Sequence, residues 1–183
     1  GRFRDTVPVY GYGMMLRPGR DAASMAARFK DEAAAIRDAG FRATKMKTGL
    51  GPKPDVALCA AVRDGVGDGF RFMVDANHAY TTQDAFYVGR ALEELDAYWF
   101  EEPVAPEDRD GYRELRAGLK TPISGGEAEF GRWGWREILE NRGLDIAQPE
   151  VCALGGVSEY LRVLARCHAH FTPVINHVWG SAI

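Results

Sequence analysis

Short runs rich in β-branched and aromatic residues alternate with longer amphipathic runs from one end of the chain to the other. The short runs read as strands over residues 7–15, 41–47, 70–75, 97–101, 121–127, 144–148 and 171–176. Between the first two, Met25, Phe29, Ala33 and Ile36 recur on one helical face, with Asp21 placed to cap the helix and Gly40 to end it. Further helices are predicted over residues 54–66, 82–95, 107–119, 133–140 and 157–168, and Thr81 stands three residues before Asp84 as an N-cap candidate.

Parallel strands need helical crossovers, so seven strands alternating with six helices argue for a parallel sheet of the α/β class. The pattern alone fits either an open doubly wound sheet or a β/α barrel. No G-x-G-x-x-G follows an early strand; Gly11-Tyr12-Gly13 lacks the third glycine and the helix start. A closed barrel has eight strands and typically about 250 residues. The chain of 183 residues is therefore expected to hold strands one to seven of a truncated (β/α) barrel. It begins at Gly1 rather than Met and stops at Ile183, a few residues past the seventh strand-like run. Residues 1–183 are thus expected to be a partial barrel domain cut from a longer protein.

Acids and bases fall on this repeat in register. Lys47, Asp75, Glu101, Glu127, Glu150 and His177 are separated by 28, 26, 26, 23 and 27 residues, each at or just after the end of a successive strand. In a β/α barrel those ends converge on one face, which carries the active site. Any single acid among them is adequately read as a solvated loop residue; three on consecutive strands are not. Three carboxylates in one cleft repel one another, and a hard divalent cation relieves that repulsion. All-oxygen ligation by Asp75, Glu101 and Glu127 favours Mg²⁺ or Mn²⁺. Neighbours on a strand point to opposite sides, so only one of Glu101 and Glu102 is expected to face the site.

Lys45 and Lys47 flank Met46 and project from one face of their strand. Parallel strands are buried on both faces, where unpaired lysines are costly. Beside a divalent metal a lysine has its pKa lowered and can act as a neutral base, and a second ammonium at Lys45 pushes the same way. His177, one unit after Glu150, is expected to form a carboxylate–imidazole pair that fixes the tautomer. Asn77, two residues after Asp75, is placed either for a turn or for substrate contact.

Composition narrows the partners. Hydrophobic residues at 46% and charged residues at 27% suit a soluble globular protein, and a formal net charge of −3 offers no footprint for nucleic acid or an anionic membrane. No apolar stretch approaches the roughly 20 residues of a membrane span, and no signal-peptide pattern opens the chain. Cys59, Cys152 and Cys167 are odd in number and scattered, as expected for free thiols in a cytoplasmic protein. A zinc site at Cys167-His168-Ala169-His170 lacks a second ligand pair at suitable spacing.

Taken in order, Lys45-Met46-Lys47, Val74-Asp75-Ala76-Asn77, Trp99-Phe100-Glu101-Glu102-Pro103, Gly125-Gly126-Glu127, Asp145-Ile146-Ala147-Gln148-Pro149-Glu150, Leu154-Gly155-Gly156-Val157 and His177-Val178-Trp179-Gly180 form a set. The set resembles the mandelate racemase and muconate lactonizing branch of the enolase superfamily. That resemblance implies a modified β/α barrel with one Mg²⁺ on Asp75, Glu101 and Glu127, binding a substrate carboxylate. It implies Lys47 as a base with Lys45 as helper, His177 as the base on the opposite face, and Glu150 as its supporting acid. Two departures stand out. The family commonly has Asp where this chain has Glu150, and its N-terminal capping domain and the region after the seventh strand find no counterpart here.

The expected chemistry is removal of the proton beside a carboxylate, which Mg²⁺ assists as a Lewis acid worth several kcal/mol. Expulsion of a β-hydroxyl gives a sugar-acid dehydratase, expulsion of a lactone oxygen a cycloisomerase, and reprotonation on the other face a racemase or epimerase. The runs around Tyr10-Gly11-Tyr12, Glu127 and His177 resemble the acid-sugar members, including galactarolactone cycloisomerases. The expected partners are a small-molecule carboxylate, bound in part by Asn77 and Lys45, and further copies of the full-length chain in a homo-oligomer. A Schiff-base aldolase through Lys47 leaves the three carboxylates unexplained. A barrel piece that binds metal without turnover is the non-enzymatic alternative.

Overall fold

The computed structural model describes residues 4–178. Among the described residues six strands and six helices alternate: β1 (Gly11–Tyr12), α1 (Ala22–Asp38), β2 (Ala43–Lys47), α2 (Pro52–Val66), β3 (Arg71–Asp75) and α3 (Thr82–Glu94) form the first half. The second half is β4 (Trp99–Glu101), α4 (Arg109–Gly118), β5 (Ile123–Gly125), α5 (Gly131–Glu140), β6 (Ile146–Ala147) and α6 (Val157–Ala169). The strands form one sheet in the order β1-β2-β3-β4-β5-β6, and every pair is parallel. A doubly wound sheet would reverse its order at a switch point. This one runs in chain order throughout, as successive strands of a barrel do.

Local chemistry sets the helix starts. The Asp21 carboxylate accepts the Ser24 amide at 2.9 Å, the Thr81 hydroxyl accepts that of Asp84 at 3.2 Å, and Asp108 accepts that of Gly111 at 2.9 Å. Each satisfies an amide that the first helical turn leaves without a partner. The Asp21 and Thr81 caps are those expected from sequence. Asp108 moves the start of α4 two residues past the predicted Glu107.

Two apolar layers hold the sheet. Met46, Phe72, Val74 and Phe100 face the helices and join Phe29, Leu58, Val88 and Leu115 in the main core. On the other face Met73, Trp99 and Ile146 form a smaller cluster with Tyr10 and Ile175 against it. Alternation along β2 puts Thr44 and Met46 on one side and Lys45 and Lys47 on the other.

The seventh predicted strand is corrected. Residues 171–176 do not form a strand; the chain pairs here only through isolated parallel bridges, Ala147 to Val174 and, just past the segment, Glu150 to His177. Phe171 adopts a left-handed backbone (φ 55°), and Pro173 has no amide to donate, so the segment enters the sheet only beyond it. The Ala147 amide still donates to the Pro173 carbonyl at 2.9 Å, and that of Ile175 to the Ala147 carbonyl at 3.0 Å. The first strand shrinks from residues 7–15 to Gly11–Tyr12, the fifth to Ile123–Gly125 and the sixth to Ile146–Ala147. Trp179 and Gly180 of the motif begun by His177 lie outside the described residues. Among the described residues no helix is long and apolar enough to cross a membrane.

Candidate metal and proton-transfer site

Register brings the first three polar residues side by side. Lys47 pairs with Asp75 across β2 and β3, and Asp75 with Glu101 across β3 and β4. The next position over is Ser124, so Glu127 does not continue the row; it sits three residues further on, in the turn after β5. That turn returns its carboxylate to the row. One carboxylate oxygen from each of Asp75, Glu101 and Glu127 lies within 4.8 Å of the others.

Each acid is held by named donors. Asp75 Oδ2 accepts Lys47 Nζ at 2.5 Å and stands 3.3 Å from Lys45 Nζ, while Oδ1 accepts the Asn77 amide at 3.0 Å. Glu101 Oε1 accepts Lys45 Nζ, and Oε2 accepts Trp99 Nε1 and Gln148 Nε2, each at 2.9 Å. Glu127 Oε2 faces His177 Nε2 at 3.1 Å, and His177 Nδ1 lies 2.8 Å from Glu150 Oε2. Glu150 is steadied from behind by the Cys152 amide, which donates to Oε1 at 3.0 Å. Lys47 Nζ also donates to Asn77 Oδ1 at 2.6 Å, which joins Asn77 to Lys47 rather than leaving it in a turn role alone.

The electrostatics follow from burial against these partners. Burial pushes the Asp75 carboxyl up, but Lys45 and Lys47 outweigh it and hold the group below its usual range. Glu101, more deeply enclosed and repelled by Asp75, is pushed up despite Lys45. Burial pulls both lysines down, yet the carboxylates win and keep both ammoniums above their ordinary value. The carboxylate of Asp75 thus favours the charged ammonium of Lys47.

Glu102 departs from expectation. It too is buried, but a left-handed backbone (φ 45°) turns it out of strand alternation. Its carboxylate reaches His78 Nε2 at 3.2 Å and Asn77 Nδ2 at 3.4 Å. Burial, followed by the charges of Glu127, Asp75 and Glu101, raises its pKa to about 8. Strand periodicity could not reveal this, because the residue leaves the strand where the site begins. Gln148 and Trp99 were also missed as donors to Glu101, although both lie in the motifs of the sequence.

The trio fits a hard divalent cation. Its donors are all carboxylate oxygens, two of the three residues are fully buried, and a fourth buried carboxyl beside them is driven toward its neutral form. A cleft of about 1010 Å³ opens beside it, lined among others by Tyr12, Lys45, Lys47, Asn77, Glu127 and His177.

A parallel sheet in chain order, with acids converging at its strand ends and facing lysines and a histidine, defines a β/α-barrel protein with a carboxylate centre. The chain belongs to the enolase C-terminal domain-like family, whose model matches residues 28–183. It is 39% identical over 183 residues to D-galactarolactone cycloisomerase of Agrobacterium fabrum, covering all of this chain and 48% of that protein. It is 34% identical over 157 residues to arabinonate dehydratase of Saccharolobus solfataricus, covering 85% of this chain and 42% of that protein. A racemase from Streptomyces coelicolor A3(2), solved with bound magnesium, superposes with a TM-score of 0.83 at 32% identity, over 94% of this chain and 50% of that one. The chain spans about half the length of the curated relatives it matches.

Proposed function

We propose that this chain carries the proton-transfer site of a Mg²⁺-dependent lyase or isomerase acting on a sugar acid or its lactone. The observation that carries the reading is the approach of a lysine and a histidine to one acid trio: Lys47 reaches Asp75 from β2, and His177 reaches Glu127 from beyond β6 at the far side of the sheet. Asp75, Glu101 and Glu127 would hold the metal. Bound there, Mg²⁺ would supply positive charge against the second negative charge that the substrate carboxylate acquires as its α-proton leaves.

The residues then have separable tasks. Lys47 or His177 takes the α-proton, according to the configuration of the substrate. Its C–H electron pair becomes the bond toward the carboxylate, and the β C–O bond breaks. Where the leaving oxygen needs a proton, the other of the two groups supplies it. The enol left behind tautomerises to a 2-keto acid. Lys45 binds the substrate carboxylate and keeps positive charge beside Lys47; Asn77 holds Lys47 and contacts substrate. Glu150 holds the imidazole through Nδ1 and leaves Nε2 for the proton.

Dehydration and cycloisomerisation differ only in whether the leaving oxygen departs as water or stays tethered in an opened ring. The greater identity to the cycloisomerase, 39% against 34%, favours the lactone. The test is turnover by the complete protein across a panel of sugar acids and their lactones, with and without EDTA. Formation of a 2-keto acid that stops with EDTA and returns with Mg²⁺ is expected; turnover indifferent to EDTA contradicts the reading.

A further inference from the structure

Behind Lys47 lies a buried carboxylate to which the proton chemistry assigns no part. Asp55, in the first turn of α2, is fully buried. Its side chain accepts the amides of Gly49 at 3.0 Å, Leu50 at 3.0 Å and Gly51 at 3.0 Å, and the Tyr80 hydroxyl at 2.7 Å. Three successive amides thus turn inward onto one carboxylate, a conformation helped by the glycines at both ends (φ 139° at Gly49, φ 117° at Gly51). These residues are the loop that leaves β2 directly after Lys47 and Thr48.

The fourth donor comes from the neighbouring loop. Tyr80 follows β3, five residues after Asp75, and is fixed independently: its amide donates to the Pro103 carbonyl at 3.2 Å and its ring packs on Phe100. The rest of that loop is tied to β4 and the residue after it, through Ala76 to the Glu101 carbonyl at 2.9 Å and His78 to that of Glu102 at 2.8 Å. The loop after β2 has fewer ties. Beyond the Thr48 amide, which donates to the Asp75 carbonyl at 3.0 Å, it is held by Asp55.

We infer that Asp55 is a positioning residue for Lys47: with Tyr80 it latches the loop after β2 to the loop after β3, and so fixes the base against Asp75 and Asn77. The inference rests on the reading of Lys47 as a base. Buried carboxylates that hold backbone amides preorganise what the loop carries, and a displacement of about 1 Å at a reacting group can cost about 100-fold in rate. The asymmetry of the ties gives the latch a signature that general support of the fold lacks. Its loss slackens the Lys47 side and leaves His177, on the segment beyond β6, in place.

The test is α-proton exchange in D₂O with Mg²⁺, using the complete protein and a pair of substrates of opposite α-configuration. Asp55→Asn, and separately Tyr80→Phe, are expected to slow the Lys47-dependent exchange by about tenfold or more while the His177-dependent exchange stays within about twofold of the parent. An equal fall on both faces, or no fall on either, overturns the inference. Should Asp55→Asn fail to fold, Tyr80→Phe alone decides, since it removes one hydroxyl and no charge. Lys47→Ala, run in parallel, separates the two claims. If it leaves exchange unchanged, the base assignment has failed; if it abolishes one face while the latch variants slow neither face, or both equally, only the latch has failed.

Discussion

His177 Nδ1 lies 2.8 Å from Glu150 Oε2, on residues paired by an isolated parallel bridge between their backbones. The backbone pairing sets the side chains level, and the Cys152 amide holds the carboxylate where the imidazole needs it. Nε2 is left pointing at Glu127.

Glu150→Gln should therefore slow exchange through His177 and spare exchange through Lys47. Removing a group that orients a histidine and supports its charge typically costs about 10- to 100-fold. Glu150→Asp should retain part of the activity, the shorter side chain reaching less well between Cys152 and His177. Face-specific rates in D₂O measure both variants.

The same pair sets an acid limit. Burial pushes the Glu150 carboxyl up, but the Cys152 amide and His177 outweigh it and hold it below its ordinary 4.5. A depressed folded-state pKa contributes stability that is present above 4.5 and lost as pH falls through the lower value. The readout is catalytic rather than a measure of stability. His177-dependent exchange should hold its Glu150 contribution down to below pH 4.5, where Glu150→Gln and parent should converge.

Glu102 predicts the opposite slope. Its pKa rises from 4.5 to about 8, so between those values the folded protein keeps a proton that the unfolded chain has released. Its contribution to the stability of the metal-free protein is full below pH 4.5 and is lost progressively as pH rises toward 8. The loss is on the order of a few kcal/mol. In EDTA, the melting temperature of Glu102→Gln should fall less between pH 5 and 8 than that of the parent. Parallel curves would contradict this.

Mg²⁺ should stabilise the fold by binding the acid trio, since a ligand that binds only the folded form raises its stability with concentration. The melting temperature should rise with added Mg²⁺ in the parent, and much less in Asp75→Asn or Glu127→Gln. A rise of equal size in those variants would place the metal elsewhere.

Gly126 tests how Glu127 is aimed. Its backbone is left-handed (φ 107°), and a Cβ there would stand 2.5 Å from the Trp135 ring. Gly126→Ala should cost about 2–4 kcal/mol in urea unfolding, combining backbone strain with overpacking. It should also weaken the Mg²⁺ effect, because the turn it distorts carries Glu127.

Residues that stay on the β/α repeat were legible from spacing alone. Lys47, Asp75 and Glu101 occupy one row across three strands because each ends its strand at the same level. Glu127 was also found, although it reaches the trio from a turn rather than the row. What spacing could not reveal is where the backbone leaves the repeat. Glu102 turns through a left-handed conformation, and Pro173 cuts the seventh strand to a pair of bridges. Asp55 was hidden for another reason: its partners are amides of a glycine-containing loop, which no side-chain pattern marks. The lysine charge state was read only in part, since both amines meet carboxylates directly and are raised by them.

The proposed function requires two bases to serve one acid trio from opposite sides. The most direct measurement is NMR detection of deuterium uptake at the α-carbon, with Mg²⁺, in the complete protein and its Lys47→Ala and His177→Ala variants. Each variant is expected to lose exchange for substrates of one α-configuration and to keep it for the other. Exchange that survives unchanged in Lys47→Ala for every substrate would contradict the assignment of Lys47 as a base.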